Sequence, residues 1–454
     1  MRVLLVSTYE LGHQPLHVAS PAAALLRAGH EVRCLDLAVQ RFDVEGAEAL
    51  GWAEAVAFSV PMHTAMRLAV AAARALRRSR PGVPVCLYGL YAPVSRDLTV
   101  GAVADRVIAG EYEPALVAWV DGLAAGPPGE DREPPPVSVE LGRSAFTLPA
   151  RHLLPTLDRY AHLAVGDDHR LVGYVEATHG CSHRCRHCPV PVVYQGRTRA
   201  VDEEVVLADV DQLVAAGASH ITFGDPDFLN RPQHAHRVVR ALHDAFPHLT
   251  FDLTVKVEHV LRHDTLWAEL ASLGCLFVTS ALESVDDATL ARLDKGHTVA
   301  DAARAVDLLG DQGIDLRPSF LPFTPWTTLG QVVDLVDFVA AHDLVPNVDP
   351  VQYSIRLLLP EGSLLLERAD LVPRLLGYDA EALTWTWRSQ DPRVDELQGE
   401  LAALARDAAT EPVAETYHRV RHTVAAAAGR DPVPAPAAAG AGEARPRLTE
   451  PWFC

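Results

Sequence analysis

The stretch 179-HGCSHRCRHCPV-190 places three cysteines and three histidines in twelve residues, and the fold assigned to the rest of the chain depends on how it is read. Cys181, Cys185 and Cys188 are spaced C-x3-C-x2-C and are followed at once by Pro189, so they belong to a loop. Three thiolates on a tight loop can grip three irons of a [4Fe–4S] cube and leave the fourth iron without a protein ligand. A second reading uses Cys181, His183, Cys185, His187 and Cys188 as a pool of nitrogen and sulfur donors for a tetrahedral zinc ion. What lies around the loop separates the two.

Immediately before it, residues 171–177 form an apolar run of strand type. Further runs at 220–225, 250–257, 276–283, 314–321 and 348–357 alternate with helical patterns such as 203-EEVVLADVDQLVAAG-217 and 329-LGQVVDLVDFVAAH-342. Six such units over residues 151–362 predict a partial (β/α)6 TIM-like barrel with its site at the carboxyl ends of the strands. Zinc knuckles need no barrel behind them, so the cluster is the favoured reading. The predicted strand ends are polar: Gly224 and Asp225 in ITFGDPDF, Lys256 and Glu258 in TVKVEH, Glu283 and Ser284 in TSALESVDDATL. Each of these could instead be a helix cap or a solvated turn. Arg317, Tyr353 and Arg356 lie on the late strands, where an anionic substrate group could bind. Arginine suits bidentate carboxylate recognition, and it suits internal ion pairs equally.

Ahead of the barrel, residues 1–123 alternate strands and helices. RVLLVS (2–7) is a continuous buried-strand run, and Ser20-Pro21 predicts a helix start that Gly29 ends. EVRCLDL, AVAFSV, VPVCLYG and DRVIAG complete a parallel, doubly wound sheet of five strands. Its ligand crevice is expected in STYELGHQ, SVPMHT, YGLYAP and AGEYEP. Residues 124–150, rich in Pro, Gly and charge, read as a linker, and 363–424 as an amphipathic helical region. Residues 425–454 read as a flexible Ala/Pro-rich tether that ends in Cys454. The fold class is thus α/β throughout both domains.

The chain has 454 residues and a formal net charge of −19, which repels a phosphate backbone and argues against nucleic acid as a partner. No run reaches the roughly 18 apolar residues of a membrane span, and the N-terminus reads as a strand rather than a signal peptide. Of the seven cysteines, Cys34, Cys86 and Cys275 sit in apolar strand-like runs as small buried hydrophobes. Three crowded thiols in an odd total do not make a disulfide framework, so a reducing, cytoplasmic compartment is expected.

The C-x3-C-x2-C loop after the first barrel strand resembles the radical S-adenosylmethionine (radical SAM) superfamily, in which His187 occupies the usual aromatic position. That resemblance implies a [4Fe–4S] cluster on Cys181, Cys185 and Cys188 and S-adenosylmethionine on the open iron. It implies cofactor contacts from His187, Gly224, Asp225, Lys256, Glu258, Glu283 and Ser284, a small-molecule substrate, and a flavodoxin- or ferredoxin-type electron donor. PLHVASPAAALLRAGHEVRCLDL and ADRVIAGEYEPALVAWV resemble the cobalamin-binding class of the superfamily. The chain lacks the D-x-H-x-x-G loop that supplies a histidine to cobalt, so cobalamin is a candidate cofactor rather than a required one. FGDPDFLNRP, FTPWTTL, VDPVQYSIRLLLP and LTEPWFC resemble the CUAEP/CCAEP-tail radical SAM proteins. This predicts that the recorded sequence stops at a selenocysteine codon after Cys454, and that the tail thiol takes part in the chemistry. The implied reaction is radical modification of a small molecule, with a thiol, selenol or metalloid centre as one acceptor and cobalamin-dependent methyl transfer as the alternative. A non-catalytic metal-binding or redox-sensing protein is the rival class.

Overall fold

The computed structural model describes residues 1–41, 45–94, 96–126, 136–142, 145–408, 411–430 and 445–450. Five apolar runs form the parallel strands β1 (Arg2–Ser7), β2 (Glu31–Asp36), β3 (Ala55–Ser59), β4 (Val85–Tyr88) and β5 (Arg106–Gly110). β3, β4 and β5 are buried along their whole length, as expected of strands covered on both faces by helices. A sixth strand, β6 (Val137–Glu140), pairs in parallel with β5 and gives the order β2-β1-β3-β4-β5-β6. It falls inside the stretch predicted as a linker. A run of prolines just before it hides it in the sequence, and its partly exposed VSVE pattern is that of an edge strand, where proline is tolerated. The order reverses between β1 and β3, so the crevice of this sheet opens at their carboxyl ends.

The first helix spans Leu16–Arg27 and carries Pro21 inside it, whereas the sequence predicts Ser20 as its cap. Pro21 has no N–H for the carbonyl of His17. The Tyr88 hydroxyl donates to that carbonyl instead, at 2.9 Å, and the helix continues through the proline.

The second domain is a curled sheet. β7 (His162–Val165) and β8 (Asp168–Val175) form a hairpin. A ribbon of β9 (Thr178–Gly180) and β10 (Thr198–Ala200) stands apart, followed by β11 (His220–Phe223), β12 (Thr250–Thr254), β13 (Cys275–Glu283) and β14 (Asp315–Phe320). β8, β11, β12, β13 and β14 run parallel, with helices of the 203–341 region on the outside. The main hydrophobic core lies between the sheet and these helices, around Phe223, Phe228, Phe251, Trp267 and Phe320. Residues 348–357, read as a sixth barrel strand, instead form a 3-10 turn at Pro350–Ser354 and a single bridge between Phe323 and Arg356. Pro350 removes a ladder donor that a strand there would need.

Before its two helices (Pro392–Asp407 and Val413–Ala427), the region read as helical contains a hairpin, β15 (Leu375–Asp379) with β16 (Thr384–Trp387). Part of the predicted tether is also ordered. β17 (Arg447–Leu448) adds antiparallel to β7, Arg445 pairs with Asp315 and Asp343, and Glu450 accepts from the Tyr9 hydroxyl of the first domain at 2.9 Å. Cys454 lies outside the described residues. Arg151 links the two domains. Its guanidinium forks onto both oxygens of Asp209 at 2.9 and 2.8 Å and also donates to the carbonyls of Tyr174 and Gln14.

Candidate functional site

The ribbon β9–β10 positions the cysteine loop at the carboxyl end of β8. Gly180, directly before Cys181, has φ +74°, and a side chain there would meet the Arg197 carbonyl at 2.3 Å. Glycine is needed on both counts. Beyond it, Ser182 N–H and Oγ–H both donate to Asn230 Oδ1, at 3.1 and 2.7 Å, and Cys181 Sγ lies 3.8 Å from the same oxygen. Arg186 N–H donates to the Leu293 carbonyl and Cys188 N–H to the Cys185 carbonyl. The loop is therefore held from β11's end, from the helix after β13, and from within.

All three cysteines are free, with Cys181 and Cys185 buried and Cys188 partly so. Burial pushes the Cys188 thiol up to about 12 and raises Cys181 as well, so metal uptake here displaces protons. Among the described residues, the one group whose donor atoms close to within 4.8 Å of one another is His183, Asp227 and His259, and the three sulfurs are not in it. Three soft sulfur donors on one loop, with no fourth cysteine beside them among the described residues, fit a cluster with one open corner. The pooled zinc site is also undone by its histidines: His183 turns to Asp227 and His259, and His187 Nε2 lies 3.0 Å from Glu283 Oε1.

Glu283 ends β13 with φ +61°, where the β13–β14 register shifts. Bulges of this kind re-aim a side chain. Its carboxylate receives His187 and the buried Lys295 ammonium, 3.2 Å away. Burial works to raise the Glu283 carboxyl, but Lys295 and His187 outweigh it and hold it well below the usual carboxylate range. Lys295, whose charge also acts on Cys188, sits in LDKGHT just past a helix and was missed in the sequence. Its signal there is only a cation twelve residues after an acidic strand end, with a helix between them.

The other predicted residues fall into three settings. Gly224 and Asp225 end β11 beside the loop. A side chain on Gly224 would meet the Tyr174 hydroxyl at 1.9 Å. Asp225 accepts from Ala177 N–H at 3.0 Å and Thr178 Oγ–H at 2.5 Å, and burial pushes its carboxyl up to about 7. Lys256 and Glu258 lie after β12, 3.7 Å apart, and Glu258 also pairs with Arg262 and with His183 Nδ1. Ser284 Oγ accepts from Asp286 N–H, a local turn contact.

Arg317, Tyr353 and Arg356 are not brought to the loop. Arg317 pairs with Asp349 at 3.4 Å and donates to the Pro446 carbonyl. Tyr353 is buried against Tyr417. Arg356 pairs with Asp395 at 2.6 Å and lies 3.5 Å over the Trp387 ring. Their partners are 31 to 129 residues away along the chain, beyond what a local pattern reveals.

Between the domains runs a buried polar network. His17 contacts the Tyr112 hydroxyl at 2.8 Å and Glu176 at 3.3 Å, and His179 contacts Glu176 and Glu111. His13, the next crevice histidine, is buried against Tyr174, and His63 faces the Leu383 carbonyl. His13, His17 and His63 are thus each in contact with other protein groups.

Residues 175–339 match the Radical SAM superfamily and residues 2–120 the B12 binding domain. No curated protein sequence matches the chain. In fold it is similar to OxsB, a cobalamin-dependent S-adenosylmethionine radical enzyme solved with aqua-cobalamin bound: TM-score 0.68, 14% identity, 88% of this chain and 66% of that one. It is similar also to TsrM from Kitasatospora setae, a radical S-adenosylmethionine methyltransferase solved with cobalamin and a [4Fe–4S] cluster: TM-score 0.64, 17% identity, 94% and 88%. A half-barrel with a three-cysteine loop at its mouth, behind a doubly wound domain, defines a class of iron–sulfur proteins. The chain belongs to the radical SAM superfamily, in the class with an N-terminal B12-binding domain. No helix of the described residues is long and apolar enough to cross a membrane.

Proposed function

We propose that this protein is an enzyme that reductively cleaves S-adenosylmethionine and uses the resulting radical on a small molecule. The observation that carries the reading is the trio of free cysteines on one loop at the barrel mouth, held by Asn230 and Leu293 and lacking a fourth cysteine beside it among the described residues. A [4Fe–4S] cluster on Cys181, Cys185 and Cys188 supplies, when bound, the electron that breaks a carbon–sulfur bond of the sulfonium. Around it, Lys295 and Glu283 set a fixed pair of opposite charges against His187, and Gly224, Asp225, Lys256, Glu258 and Ser284 line the neighbouring strand ends as candidate cofactor contacts. The low-potential electron comes from a reduced flavodoxin- or ferredoxin-type protein, in the reducing cytoplasm where three such thiols persist.

The second reading is cobalamin-dependent methyl transfer, favoured by the B12-binding domain and by the likeness to TsrM. Among the described residues, the crevice histidines His13, His17 and His63 all contact protein groups, so a corrin held there would lack a histidine on its cobalt unless one of these contacts opened. Transfer of another fragment of the cofactor to a soft acceptor, with Cys454 as carrier, is the third outcome. Anaerobic reconstitution with iron and sulfide, dithionite reduction and product analysis separate them: 5′-deoxyadenosine for hydrogen abstraction, S-adenosylhomocysteine for methyl transfer, methylthioadenosine for fragment transfer. The absence of all three, with a paramagnetic resonance spectrum unchanged by S-adenosylmethionine, would overturn the proposal.

A further inference from the structure

Beside the cysteine loop stands a second set of donors that the reaction above does not use. His183 comes from the loop itself, Asp227 from the turn after β11, and His259 from the helix Val257–Arg262 after β12. His183 Nε2 lies 3.3 Å from His259 Nε2 and 3.5 Å from Asp227 Oδ2. Around a tetrahedral ion with bonds of about 2.0 Å, ligand atoms stand about 3.3 Å apart.

Asp227 is the telling member. Its side chain is 0% exposed, and its Oδ1 accepts from Leu229 N–H at 3.3 Å. Its Oδ2 approaches His259 Nδ1 at 2.7 Å, yet the two are out of line and neither has a hydrogen-bond partner. No lysine or arginine pairs with this carboxylate among the described residues. A buried carboxylate is normally paired with a cation or coordinates a metal. Two imidazole nitrogens facing each other at 3.3 Å likewise need a proton or a cation between their lone pairs. Glu258, 3.7 Å from His183 Nδ1, is placed as the outer carboxylate that orients a metal-binding histidine.

We propose that His183, Asp227 and His259 bind a mononuclear divalent transition-metal ion, of the Zn2+ type, separate from the cysteine cluster. Two histidines and one carboxylate leave at least one coordination position open. Because the three come from the loop and from the ends of two neighbouring strands, the open position faces the barrel mouth. It suits an oxygen ligand such as a carboxylate or another oxyanion of a small molecule.

The site can be tested apart from the cluster. In the full chain with Cys181, Cys185 and Cys188 all replaced by alanine, added Co2+ should bind stoichiometrically and give the visible absorption of a low-coordinate ion. Asp227→Asn or His259→Gln on that background should abolish the band, and Glu258→Gln should weaken binding about 10- to 100-fold. A folded triple variant that binds no Co2+, or binds it equally after Asp227→Asn, overturns the proposal. If the triple variant fails to fold, the zinc content of the cluster-loaded protein decides. Zinc should be stoichiometric and fall in Asp227→Asn while iron and sulfide stay at wild-type levels. Zinc that is absent, or unchanged in that variant, overturns it.

Discussion

Glu283 and Lys295 form the buried pair on which the cysteine loop leans, with side chains 11% and 4% exposed. Each charge is tolerable only because of the other. Glu283→Gln leaves the ammonium without its counter-charge and should cost about 3–5 kcal/mol of stability, the range for breaking a buried pair by removing one partner. Urea unfolding measures it, and a loss under 1 kcal/mol would show that water already reaches the pair. Gly224 is constrained differently, by close approach: the Tyr174 ring fills the space a Cβ would take. Gly224→Ala should cost about 1–3 kcal/mol from overpacking. In a Tyr174→Ala background the same substitution should become nearly neutral, because the ring that excludes it is gone. A double-mutant cycle reads that coupling directly.

Strand ends bring the site together, and they mark where sequence reading succeeds and fails. The apolar runs of β1, β3 and β4 are continuous and buried, so they were legible, as was the cysteine loop after β8. β6 was not, because the prolines before it look like a linker while its pairing depends on β5, 27 residues upstream. The Asp227–His259 contact was not legible either. It exists because β11 and β12 are parallel neighbours, and nothing local in GDPDF or VKVEH says which side chains then turn toward each other. Arg151 shows the same limit between elements: it joins Asp209 on the helix Glu203–Ala215, 58 residues on. Both side chains are about 95% buried. Asp209→Asn keeps the shape but strands the guanidinium, and should lower stability by about 3–5 kcal/mol. Since Arg151 also holds the Gln14 carbonyl of the first domain, limited proteolysis should cut this variant faster in the 136–150 segment. Unchanged cleavage would place the junction's strength elsewhere.

On the scale of the whole molecule, the two domains meet through buried charge rather than a dry apolar seam, and that makes their union sensitive to pH. Glu10, in the turn after β1, accepts from the His17 backbone N–H at 3.4 Å, and burial raises its carboxyl to about 7. For His17 burial works downward, but Glu176 and Glu10 outweigh it and hold the imidazole up to about 9. In the unfolded chain these groups titrate near their ordinary values of 4.5 and 6.5. Between those values and the folded ones, the folded protein binds more protons than the unfolded chain, so stability must fall as pH rises. The His17 contribution is complete below about pH 6.5 and is lost as the pH passes 9. Glu10 adds a loss in the same direction between about pH 4.5 and 7. Apparent Tm measured from pH 5 to 10 should therefore decline through this window, most steeply above pH 7. His17→Gln should start lower at pH 6 and decline less between pH 7 and 9, because the group that releases its proton on unfolding is missing. The Tyr9–Glu450 contact crosses the same seam, so a chain ending at residue 444 should show its domains separating at a lower pH than the full chain. A profile that rises from pH 7 to 9, or one that His17→Gln leaves parallel to wild type, would mean that this network does not govern how the domains hold together.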